Sequence, residues 1–582
     1  MKKRFVLLSV LLLLSVLPMA GVGAIDDLLT GPQTMAQYFP AETVLFGAIR
    51  TDEAYLDQLD GLGERLIDGV DTGSVPLLTP REQLDLLLAP ENLSTGQLLD
   101  LFGDYAALGY VGYDDFDGPQ EALLVAEIAD RAGVEALLMR LNDDFIVGSE
   151  GGYTTFLSED DQLLIGLSDT LFIAVDDSMG LPQFPLETPL HKSDKFVAAI
   201  SELPAPSYNI LAYADMEVLT GDLVRDAAVS GITFETPGPL AAGFTILDEN
   251  TLAIDTVQRL ATPASSVTVN SIDPVFPRFI PADATVVTHA TDLSGLYERL
   301  MATLTDVTAA SGEPAPQVQV ELALAALGLD LEADLLNWTT GDYAIFGRLD
   351  VVPVLEGLLG NQFDINNRFD VGMVIEATDA IAAQNFANTV AELMTQFTAG
   401  LEGVTITADE IAGVGVTVLE TTASLDPSSF VDFDIVVGAN DVIFFLATRP
   451  AAETILTGDG VLLNAPDYIA AQPYVLPNAT SVWYTDGEGF LIGNGAPVIV
   501  VLALLGPAIG NIFENIIEEL ETAPQAAAPL APQTIAYQTQ DEVALLIEQL
   551  AAFGALVRNS TASATVTADG TTLIRLTVTY NE

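Results

Sequence analysis

The chain has 582 residues, with 82 acidic against 19 basic side chains and a formal net charge of −63. So negative a surface repels phosphate backbones and anionic headgroups, since few cations are present to displace counterions, and nucleic acid is excluded as a partner. Cysteine is absent, which removes thiol nucleophiles, iron–sulfur clusters and Cys-ligated zinc, while the length allows sizeable cores without disulfides.

Met1-Lys-Lys-Arg4 is basic, Phe5–Leu17 is apolar, and Val22-Gly-Ala24 supplies the small residues a signal peptidase reads. That order predicts a secretory signal peptide over residues 1–24, cleaved near Ala24, and a secreted or extracytoplasmic protein of the cell envelope. An uncleaved N-terminal anchor is the alternative. No Cys follows the apolar run, so a lipid-modified cysteine is not expected.

After Phe39-Pro-Ala-Glu42, the β-rich run Val44–Ile49 leads to Asp52, a candidate N-cap. Tyr55, Leu56, Leu59, Leu62 and Leu66 then recur at helical spacing. The block Gly103-Asp-Tyr-Ala…Gly109 opens a second strand, Glu121–Ile128 a third, and Arg131–Leu141 a helix. Gln162–Leu167 and Thr170–Val175 flank Ser168-Asp169, and Phe244–Leu247 and Leu252–Val257 flank Asp248–Asn250, both hairpin signals.

The same blocks then return in the same order. Ile280-Pro-Ala-Asp283 precedes a strand over Thr285–Ala290 and Asp292, and Gly341-Asp-Tyr-Ala…Gly347 repeats the second block. Phe369–Glu376, the helix Ala380–Phe397, and the strands Asp434–Val437 and Val442–Thr448 around Asn440-Asp441 follow. Leu203-Pro-Ala…Tyr213-Ala-Asp215 has its echo in Leu476-Pro-Asn…Tyr484-Thr-Asp486, and Ala564–Thr567 with Leu573–Val578 forms a closing hairpin. Repeats of this kind predict an α+β fold of two tandemly duplicated units, residues 25–271 and 272–582, each an antiparallel β-sheet with helices packed on it. The second unit is longer between these anchors. Its extra residues are expected around Val351–Asn366 and Ala408–Ser429, as loops or added hairpins outside the shared sheet.

Candidate chemistry is sparse. The chain has two histidines, His191 and His289, neither with a second imidazole at ligand spacing. No Gly-x-Ser-x-Gly elbow is present. Asp104 and Asp342 are repeated by the two Gly-Asp-Tyr blocks, yet Gly-Asp at a strand entrance is also what a turn selects through Asx hydrogen bonding. Asp114, Asp115 and Asp117 with Gly118 resemble the start of a calcium loop, but Pro119 and Ala126 occupy positions where ligands belong, so a solvated acidic turn is the competing reading. Gly489–Phe513 carries no charge and reads as a buried helix, the wall of a lipid pocket, or a membrane span. Sequons at Asn92, Asn337, Asn478 and Asn559 matter only in a glycosylating host.

The Pro-Ala-[Glu/Asp]-x-[Val/Thr] turn, its strand and Asp, and the later Gly-Asp-Tyr-Ala strand resemble an exported bacterial family catalogued as domain of unknown function 3352. The resemblance covers most of the chain and implies no catalytic residues. A non-enzymatic, envelope-associated binding protein without a cofactor is therefore expected, with an apolar ligand, an extracellular protein or a divalent cation as conceivable partners. A carrier of an apolar ligand or lipid and a carboxylate-dependent hydrolase are the alternatives.

Overall fold

The computed structural model describes residues 31–68, 78–114, 118–141, 145–158, 163–221, 236–261, 270–295, 329–349, 369–398, 404–421, 434–487 and 557–581, with a few isolated positions added or missing. The signal-peptide segment, Val351–Asn366 and nearly all of Gly489–Phe513 lie outside the described residues. The chain divides into two compact units, Met1–Val269 with Ala564–Val578 and Glu582, and Asn270–Ser563 with Thr579–Asn581. The turn of the last hairpin thus belongs with the first unit, not the second as its position in the sequence suggests.

Within the first unit, β1 (Leu45–Arg50) lies between β2 (Phe102–Asp114) and β8 (Ile210–Asp215), antiparallel to both. The ladder runs on from β2 through β3 (Gly118–Ile128), β7 (Leu171–Asp176), β6 (Leu163–Leu167) and β5 (Tyr153–Ser158) to β4 (Ile146–Glu150). On the other side β8 pairs with β9 (Pro237–Ile246), and β9 with β10 (Thr251–Leu260). Side chains alternate between faces. Phe46, Leu123, Val125 and Leu211 point to one core with Phe196 and Ala199 of α3 (Asp194–Ile200). Ile49, Ala106, Leu124 and Ile210 point to the other, under Tyr55 of α1 (Glu53–Asp68) and Val134 and Leu138 of α2 (Arg131–Leu141). Asp52 caps α1 as expected, its Oδ1 accepting the Tyr55 amide at 3.1 Å.

The second unit has β11 (Val286–Thr291) between β12 (Asp342–Leu349) and β18 (Ser481–Asp486). From β12 the ladder passes to β13 (Phe369–Glu376), β17 (Ile443–Thr448), β16 (Ile435–Ala439), β15 (Val414–Thr421) and β14 (Val404–Ile411). One face packs Val287, Phe346 and Phe445 against α5 (Arg449–Thr457) and α6 (Pro466–Ala471). The other packs Tyr343, Val437 and Phe444 against Trp338 and against Ala383 and Ala387 of α4 (Ala380–Thr398). Strand β20 (Thr572–Tyr580), which follows β19 (Val557–Val566) in the chain and whose residues 572–578 belong to the first unit, pairs with β10 there.

The fold is α+β with an extensive antiparallel sheet, as the sequence predicts. One expectation fails. Ala408–Ser429 was expected to hold loops or hairpins outside the sheet, but β15 pairs with β16 just as β5 pairs with β6. The alternation Val414, Val416, Val418 turns apolar side chains onto the core, so Val414–Thr421 is a ladder member, while residues 422–429 lie outside the described residues.

Candidate functional site

The repeated Gly-Asp-Tyr blocks open β2 and β12. Their glycines have a steric cause. A Cβ on Gly103 would lie 2.6 Å from Glu127 Cβ, and one on Gly341 would collide with the Glu376 carboxylate. Each glutamate comes from the neighbouring strand and takes the backbone of the block. The Asp104 and Tyr105 amides donate to Glu127, and the Asp342 amide donates to Glu376 Oε2 at 3.1 Å. Gly and Glu therefore form one device, and the expected Asx turn is replaced by a cross-strand carboxylate. Glu127 and Glu376 were missed because their partners are distant in sequence.

The two aspartates diverge. Asp104 is exposed, beside half-buried Glu127, whose carboxyl is raised above its ordinary range by burial first and by the Asp104 charge second. Asp342 is buried, and its Oδ2 accepts the Asp273 amide at 2.6 Å and lies 2.8 Å from His289 Nε2. The His289 ring stacks on Phe276 with centroids 5.0 Å apart. A catalytic relay would need a hydroxyl on the ring's other nitrogen. That atom, Nδ1, is buried and has no hydrogen-bond partner among the described residues. The pair as built fastens the Asp273–Phe276 segment onto the sheet. His191 is elsewhere, in a short turn of helix over Leu190–Lys192, with its imidazole lowered by burial and then by Lys192.

Asp115 and Asp117 lie outside the described residues, and Asp114 ends β2. Among the described residues no group of three or more His, Asp or Glu could hold a metal ion. No described helix is long and apolar enough to cross a membrane.

A cavity of about 240 Å³ opens on the first unit's sheet, on the face of Ile49 and Ile210. Its floor is one row of small residues on adjacent strands, Gly47, Ala212 and Ala242. Bulkier rows border it: Leu45 and Leu240 on one side, Ile49 and Ile210 on the other. Leu108, which pairs with Gly47, closes one end. Among the described lining residues on this face, Tyr110 carries the one side-chain polar group. A Cβ added at Gly47 would meet nothing within 4 Å among the described residues. In the second unit the corresponding row is Ile345, Thr288 and Trp483, paired as Leu108, Gly47 and Ala212 are. Thr288 and Trp483 stand there where the first unit has Gly47 and Ala212.

The profile of a family described as "Protein of unknown function (DUF3352)" matches residues 181–516. Among solved structures the chain is similar to one titled "Structure of crystal form I of TP0453", at 8% identity and a TM-score of 0.18, over 39% of this chain and 80% of that chain. That likeness bears on neither fold nor function. None of the curated proteins matches the sequence.

Proposed function

The chain belongs to the family described as protein of unknown function (DUF3352), and from that premise we propose an exported, non-catalytic protein of the cell envelope that binds an apolar ligand through its first unit. The observation that carries this reading is the cavity over Gly47. Glycine weakens a strand interior by about 0.5–1 kcal/mol relative to alanine, and this one leaves space in an apolar wall where a Cβ would touch none of the described residues. Cavities of about 150 Å³ already admit benzene, so 240 Å³ takes a ring or a short stretch of alkyl chain.

On this reading the two units descend from one duplicated ancestor, and the cavity described lies in the first. Leu190 N donates to Phe39 O at 2.7 Å, and Leu462 N to Ile280 O at 2.7 Å, each acceptor standing just before a Pro-Ala turn. Ser168 Oγ accepts the Leu171 amide at 2.8 Å, and Asn440 Oδ1 accepts the Ile443 amide at 2.9 Å. The anchors do not match in every register. Leu45 pairs with Tyr110, one residue beyond Gly109, while Val286 at the equivalent place pairs with Gly347 itself. A bulge between Phe102 and Ala106 accounts for the slip.

The hydrolase alternative has one feature in its favour, the pairing of exposed Asp104 with a Glu127 whose carboxyl is raised. Against it, both amides that Glu127 accepts are structural. Native mass spectrometry of protein purified from its host, with Gly47→Val alongside, tests the binding reading. The wild type should carry an extractable apolar molecule that the folded variant has lost. Equal loading of both proteins, or no ligand and no uptake of a hydrophobic dye by the wild type, would end it.

A further inference from the structure

Strand β10 is the outer member of the β1, β8, β9, β10 ladder, and Thr251, Ala253, Asp255 and Val257 alternate onto its buried face. Asp255 stands out in that series, since its side chain is wholly buried. An open strand edge accepts almost any strand, and natural sheets guard such edges with inward-pointing charges. Here β20 brings the complementary charge. Arg575 Nε and one terminal nitrogen donate to the two Asp255 oxygens, each at 2.5 Å. The Tyr208 hydroxyl reaches Asp255 Oδ2 at 3.4 Å and accepts the Ala205 amide at 2.6 Å. A second pair, Arg259 with Asp569 at 3.3 Å, lies toward the hairpin turn.

We propose that Asp255 is a strand selector, closing the edge of β10 to every strand except one that presents a cation at the position of Arg575. Ala564–Val578 then returns across most of the chain to complete the first unit. Until that segment is in place, the Asp255 carboxylate faces the core without a counter-charge. The sheet edge is therefore unattractive to apolar strands from other copies during the interval in which it is open.

Two variants of the full chain test this, read by hydrogen exchange of the β10 amides and by light-scattering mass after refolding. Arg575→Ala should lower β10 protection roughly 10²–10³-fold, the loss expected when one partner of a buried pair is removed. Asp255→Leu with Arg575→Met should keep protection within about tenfold of the wild type, because an apolar pair of similar volume can replace a buried ion pair. That double variant has lost the selector, so its mass after refolding should rise with concentration above that of the wild type. Wild-type protection in Arg575→Ala, or a double variant that refolds at the wild-type mass at every concentration, overturns the proposal. Should Arg575→Ala not fold, the double variant decides alone.

Discussion

Glu127 shows how one carboxylate can hold a strand entrance at a cost in charge. Because burial and Asp104 raise its pKa in the folded chain, the fold favours the protonated form. Its stabilising contribution is then complete below the unfolded pKa and is lost as pH rises through the folded value. Stability of the first unit should therefore increase as pH falls from 7 toward 5. Glu127→Gln, which keeps an amide-accepting oxygen and drops the charge, should flatten that increase. The effect should stay below about 1 kcal/mol, since Glu127 is half-exposed and screened. Denaturation curves at several pH values measure it, and an unchanged slope in the variant would refute the assignment. The two aspartates of the repeated block should behave unequally. Asp342→Ala strands the His289 ring and the Asp273 amide, costing about 1–3 kcal/mol, whereas exposed Asp104→Ala should stay within about 0.5 kcal/mol. Comparable losses from both would mean that the block has one shared role after all.

At the level of elements, several strands and helices were legible from local signals, but the helix Pro80–Leu88, with a capping box at Thr79 and Glu82, was not read. Arg131–Leu141 forms with the bounds that its periodicity predicts, Phe369–Glu376 with those read from its place after the repeated block, and Asp52 caps its helix because the bond is local. What was not legible depends on the neighbouring strand. The Gly103 requirement comes from Glu127, the slip of Gly109 from a bulge, and the sheet membership of β15 from a face that only the assembled ladder defines. The cavity belongs to this class too, since Gly47, Ala212 and Ala242 are unremarkable in sequence and form a trough only when registered side by side. If that trough is retained for a ligand, filling it should improve the fold. Gly47→Val places a β-branched residue in open space on a strand and should stabilise the ligand-free first unit by about 0.5–1 kcal/mol. A destabilised variant in thermal melts would show that the space over Gly47 is already occupied.

Over the whole molecule the ruling quantity is charge. With 82 carboxylates and 19 basic residues, acids far outnumber the cations, and some arginines serve several of them. Arg81 reaches Glu53, Asp57 and Asp60 at 3.0, 2.7 and 2.8 Å, and Arg449 reaches Asp409 and Asp434 at 2.9 Å each. The unpaired remainder repels itself and opposes compaction. Salt screens that repulsion within a Debye length of about 10 Å at 0.1 M, so raising ionic strength should raise the thermal midpoint. Each 1 kcal/mol of relieved repulsion corresponds to roughly 2–4 °C for a unit of this size. Screening does not distinguish cations of equal charge, while a built calcium loop strongly prefers Ca²⁺ to the smaller, more rigidly hydrated Mg²⁺. Melts in matched concentrations of MgCl₂ and CaCl₂ should therefore shift together. A saturable increment with Ca²⁺ alone, removed by Asp115→Asn, would instead restore Asp114, Asp115 and Asp117 as a cation site and make the acidity of that turn specific.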